Sequence, residues 1–194
     1  MITARFQKAI DTFDNANSKD PNKDVANNED FPKELLYSRR MTEWLDKLEP
    51  DASEPLKLAA RCQHIERWVI PRESYPMDRP GYLKWRNDLK KFHADRAESI
   101  LQEVGYDDET IRRVQDLVMK KGLKSDPETQ LLEDVICLVF LDFYFDDFAK
   151  KHDDEKLIGI IKKTWRKMSV KGREVALNID MSESTKNMVE KALR

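Results

Sequence analysis

Residues 58–69 read LAARCQHIERWV, and this stretch decides the fold. Placed at 100° per residue, Leu58, Cys62, Ile65 and Val69 fall on one stripe, while Leu56 and Ala59 or Ala60 face elsewhere. A segment with apolar contacts around much of its girth is a buried helix, predicted here from a Ser53 cap to about Ile70, where Pro71 stops it. The same segment carries Arg61, Gln63, His64, Glu66 and Arg67. An unpaired charge in such a place costs several kcal/mol, so these groups either pair, line a wet cavity, or lie on a wet face with Lys57 and Trp68.

Outward from this helix the period stays helical, with no convincing alternating strand. Phe6, Ala9, Ile10 and Phe13 mark a first helix capped by Thr3, which runs out in Asn15–Asp30 around the turn signal Asp20-Pro21-Asn22. A second helix begins near Pro32 and is closed by Pro50. Residues 71–81, PRESYPMDRPG, form a proline-rich, lid-like loop. A fourth helix runs from about Tyr82 to Val104, and a fifth, capped by Asp107 or Asp108, ends at Gly122. Asp126 and Pro127 open a sixth, strongly apolar through Val135–Phe145, and Leu157 to Met168 make a seventh. Ser169 and Ser182 cap two short terminal helices. The expectation is an all-α, single-domain bundle of seven to nine helices spanning residues 1–194.

Composition narrows the function. Only five of 194 residues are Gly, which argues against Rossmann and P-loop nucleotide folds. The longest unbroken apolar run, Val135–Leu141, is far short of a membrane span, and no secretory signal opens the chain. Cys62 and Cys137 read as reduced core thiols, so a cytoplasmic protein without a membrane partner is expected. Net charge is −2, yet residues 57–96 hold ten Lys or Arg against five Asp or Glu, a basic middle suited to an anionic ligand.

His93 lies on the stripe of Leu89, Ala97, Ile100 and Val104, and Glu133 and Asp134 lie on the apolar sixth helix. His64, His93 and Asp134 are therefore the cheapest three-residue metal set, two imidazoles and a carboxylate that suit Zn, Mn or Fe. The competing reading pairs Asp134 with Arg61 or Arg67. Arg72, Tyr75, Arg79, Tyr82, Trp85 and Arg86 interleave cations with aromatics and would hold phosphates and stack a base. Lys167-Met168-Ser169-Val170-Lys171 looks like a synthetase loop but lacks the Rossmann context, so Ser169 reads as a helix cap.

Several stretches together resemble one family, the domain of unknown function numbered 4202. They are Phe13-Asp14 with Asp20-Pro21-Asn22, PKELLYSRRMTEWL from Pro32, LAARCQHIERW from Leu58, YPMDRPGYLKWR from Tyr75, FHADRAE from Phe92, QLLEDVICLVFLDFYF from Gln130 and KLIGIIKKTWRKMS from Lys156. More distantly, LAARCQHIERW is similar to the motif of HD-domain phosphohydrolases, which implies an HD-like helical architecture. In that comparison Gln63 falls in the His slot, His64 in the Asp slot, and the earlier His slot falls near Tyr37 or Ser38. Asp134 matches the later Asp, His93 resembles the extra His of two-metal members, and Lys120 or Lys121 stands where another such His occurs.

The resemblance implies a metal-dependent hydrolase of a phosphorylated small molecule or nucleotide. His64, His93 and Asp134 would hold a Mn, Zn, Fe or Mg ion, and His64 with Glu66 or Glu133 would serve catalysis. Arg61, Gln63, Arg67, Arg72, Tyr75, Tyr82, Trp85, Arg86 and Lys120 would bind the substrate. The alternative is a degenerate HD-like module that binds a nucleotide or an RNA end without catalysis.

Overall fold

The computed structural model describes residues 3–193 and is all-α apart from one small hairpin. The chain folds as two compact units that meet in sequence between Lys121 and Gly122.

The first unit opens with α1 (Ala4–Asn17), whose Thr3 side chain accepts the Phe6 N–H as expected. An antiparallel hairpin follows, β1 (Lys23–Ala26) and β2 (Glu29–Pro32), where only irregular chain was expected. Asn27 and Asn28 both take positive φ, 51° and 63°, which is what a two-residue hairpin turn requires. Asp20 locks this hairpin to the next helix, α2 (Lys33–Leu48): one carboxylate oxygen accepts from Asn22 and the other from the Glu34 N–H.

The Ser53 cap holds, and it opens α3 (Glu54–Cys62). This helix is shorter than its apolar stripe. It packs against α1, α2 and α5 (Asp108–Val118), so Leu58 and Cys62 on one stripe and Ala59 on another face are all fully buried. Beyond Cys62 the chain turns, and Glu66 adopts a left-handed conformation (φ 50°) before a 3₁₀ turn at Arg67–Val69. The stripe therefore breaks: Ile65 is buried while Val69 is 53% exposed. After a second 3₁₀ turn at Arg72–Ser74, α4 (Arg79–Val104) starts three residues earlier than expected, because Asp78 caps it and Pro80 fits its first turn. Gly105 at φ 90° ends it.

The second unit begins with α6 (Pro127–Val139), capped by Asp126. Its continuation is not uniform, since Phe140–Tyr144 form a π-type turn before α7 (Phe145–Ala149). Then come α8 (Asp154–Lys167), α9 (Val170–Ala176) and α10 (Glu183–Leu193). α6 lies against α8 and α9, and α10 against α7 and α8. Among the described residues, no helix is long and apolar enough to cross a membrane.

Candidate functional site

The polar residues of the first unit gather where α2 begins, where α3 unwinds, and midway along α4. Glu34 sits in the first turn of α2 with its side chain only 8% exposed. His64, 24% exposed, places Nδ1 3.4 Å from Glu34 Oε2, and its ring stacks on Tyr37 at 4.2 Å between centroids. The Arg67 Nη1 group lies 3.4 Å from the other ring nitrogen, Nε2, and Arg67 Nε lies 4.0 Å from Glu34 Oε1. Arginine only donates, so Nε2 carries the lone pair and the ring proton sits on Nδ1, facing the carboxylate.

His93 is held behind the same turn, its ring 5.8 Å from that of His64. Its Nδ1–H donates to the Ile65 carbonyl at 2.8 Å, so its Nε2 is also an acceptor, buried and without a hydrogen-bond partner. Gln63 Oε1 is the second buried acceptor left unpaired. The turn itself is pinned by Asn17, whose Oδ1 accepts the Glu66 N–H at 2.9 Å and whose amide reaches the Glu34 carbonyl.

Charge in this cluster is lopsided. Burial, followed by the charges of Arg67, Lys120, Arg86 and Lys33, keeps His64 neutral, with its pKa far below the ordinary imidazole range. Burial likewise lowers His93 to about 3. Burial raises Glu34 to about 7 although Arg67 and Lys33 oppose it. Arg67, Lys120, Arg86 and Lys33 thus act on two neutral imidazoles and on two buried carboxyls, Glu34 and Asp20. This is the electrostatic complement of an anion.

Other predicted site residues have structural duties. Arg61 makes a two-pronged ion pair with Asp14 (2.6 and 2.7 Å) and donates to Thr42, so it is neither a phosphate ligand nor a partner of Asp134. Glu66 is paired with Arg96 at 2.6 Å, which removes it as a free general base. Arg72 donates to the carbonyls of Tyr75, Pro76 and Asp78, and Tyr75 donates to Asp88, so both tie down the proline-rich loop. Trp85 donates to the Ile70 carbonyl and offers its face to Arg67, 4.8 Å away. Tyr82 is exposed beside Trp85 and accepts from Arg86. Lys120 adopts a positive φ of 58° within electrostatic reach of His64.

Glu133 and Asp134 belong to the second unit. Glu133 lies 3.5 Å from Lys167 Nζ. Both oxygens of Asp134 are engaged: Oδ1 accepts from the Ser169 N–H and Gln130, and Oδ2 from the Ser169 hydroxyl at 2.5 Å. Ser169 caps α9 in turn by accepting the Gly172 N–H, as its sequence position suggested.

The set His64, His93 and Asp134 therefore does not suit a divalent ion. Asp134 is committed to Ser169, and a guanidinium stands at the His64 lone pair where a cation would have to bind. Among the described residues, no three His, Cys, Asp or Glu side chains group as a metal site. The residues that sequence reading passed over are Glu34, Asn17 and Asp20. A Glu in a helix's first turn reads as a dipole partner, and only the short Asp20-Pro21-Asn22 signal hinted that this end of α2 is held from outside.

A family model for a domain of unknown function, DUF4202, matches residues 7–189. The chain belongs to the DUF4202 family. No curated protein and no solved structure matches it. The DUF4202 match spans both units, so the His64 cluster and the Asp134–Ser169 cap both lie within the family's segment.

Proposed function

We propose that the first unit binds a phosphorylated small molecule or nucleotide at the His64–Arg67 edge of the cluster. The observation that carries this reading is the charge imbalance: Arg67 contacts both His64 and Glu34, and Arg86, Lys120 and Lys33 lie close enough to bias His64, against two buried carboxyls, Glu34 and Asp20. A phosphate would accept from Arg67 by charge-assisted hydrogen bonds. The order of polar residues along the sequence is also similar to HD-domain phosphohydrolases, where the earlier His slot falls near Tyr37 or Ser38, and Tyr37 stacks on His64.

Hydrolysis of the bound ester is the second reading. It is favoured by Glu34, whose carboxyl near 7 lies beside His64 and matches the working range of a general acid or base. Titration calorimetry with inorganic phosphate and a panel of nucleotides, each with and without Mn or Mg, tests binding. We expect inorganic phosphate to bind and Arg67→Met to weaken it at least ~10-fold, the loss of one charge-assisted contact. Equal binding by the variant, or no binding of any phosphate compound, refutes the proposal. Release of phosphate from the same panel, abolished by Glu34→Gln, separates the hydrolase from the binding module.

A further inference from the structure

Among the described residues of the first unit, two acceptors are buried without hydrogen-bond partners, His93 Nε2 and Gln63 Oε1. The His93 atom is the firmer of the two, because the Ile65 carbonyl fixes the ring proton on Nδ1 and leaves a lone pair on Nε2. His93 is 2% exposed and Gln63 3% exposed, so bulk water does not solvate them. A buried acceptor left unpaired is destabilising, and a native protein keeps one where something else supplies the donor. Phe92 and His64 flank the His93 ring, and its Nε2 receives no hydrogen bond from them.

Resting on the phosphate-binding reading, we propose that the ligand is a hydroxyl-bearing phosphate ester, of the sugar phosphate class, whose hydroxyl donates to His93 Nε2 while its phosphate meets Arg67. Arg67 touches His64, and the His64 and His93 rings are 5.8 Å apart, so phosphate and hydroxyl would be carried on one small sugar-sized skeleton. Sites that hydrogen-bond a ligand hydroxyl reject the analogue lacking it, because the protein group is then left unpaired. His93 is a specificity residue under this proposal, and Arg67 is the affinity residue.

The test compares ribose 5-phosphate, n-butyl phosphate and inorganic phosphate by calorimetry on the full chain. The wild type should bind ribose 5-phosphate at least ~10-fold tighter than butyl phosphate, the effect of one satisfied buried acceptor. His93→Phe should erase that preference, so that the two esters bind alike. Equal binding of the two esters by the wild type overturns the proposal without any variant, as does a preference that survives His93→Phe. Should that variant fail to fold, ¹⁵N NMR of the wild-type imidazoles decides. The Nε2 resonance of His93 should sit at the unbonded position in the free protein and shift with ribose 5-phosphate but not with inorganic phosphate. A resonance already at the hydrogen-bonded position and unmoved by ribose 5-phosphate means that Gln63 or a buried water satisfies the ring, and the proposal falls. Binding of inorganic phosphate without ester discrimination refutes this inference alone; no phosphate binding at all refutes the parent reading with it.

Discussion

Replacing Glu34 by Gln removes the titrating carboxyl and leaves its shape. Glu34 moves from 4.5, its ordinary value, to about 7 in the folded protein because burial disfavours the anion. A raised carboxyl pKa means that the folded state binds more protons than the unfolded state between those two values. Its contribution to stability is complete below about 4.5, declines as pH rises, and is fully lost once pH passes 7. The whole span corresponds to about 3 kcal/mol, of which about 2–3 kcal/mol falls between pH 5 and pH 8. Gln does not titrate, so Glu34→Gln should gain that amount relative to wild type over the same interval. Urea unfolding at a series of pH values, followed by the fluorescence of Trp44, Trp68 and Trp85 in the first unit, measures it. Parallel stability curves for the two proteins would show that Glu34 is not desolvated and would undo the electrostatic description of the cluster.

Three further outcomes follow from the packing. Arg61→Leu should destabilise the first unit by roughly 2 kcal/mol, since Asp14 loses both prongs of a half-buried pair, and Asp14→Ala with Arg61→Leu should lose less than the sum of the single changes in chemical denaturation. Ser169→Ala removes the α9 cap and a partner of the buried Asp134 together, so about 2 kcal/mol should be lost, read as a lower thermal midpoint. Gly172→Ala would set a methyl group 2.6 Å from the Asp134 carboxylate carbon, and about 1–3 kcal/mol of overpacking should appear as destabilisation; an unchanged midpoint would show that α9 is free to shift.

Most helices were readable because local chemistry announces them. Thr3, Ser53, Asp107, Asp126 and Ser169 all cap where their sequence context indicated. The failures come from tertiary control. Nothing local, neither Gly nor Pro, marks the end of α3 after Cys62; the left-handed turn at Glu66 exists because Asn17, 49 residues away, accepts its N–H. The hairpin escaped notice because its strands are four residues long and hold few apolar side chains, although Asn27-Asn28 is a recognisable turn pair. His64 and His93 were singled out as a pair and are neighbours in space. Their acidic companion is Glu34, not Asp134, since no periodicity reveals which distant carboxylate faces a given ring.

The Asn17 amide ties three separate stretches together, the end of α1, the Glu34 carbonyl and the turn at Glu66. A shortened chain beginning after residue 20 would retain every histidine and arginine of the cluster and still lack the keystone that aims them. The amino-terminal helix is thus a scaffold strut for a cluster whose histidines and arginines all come from later residues.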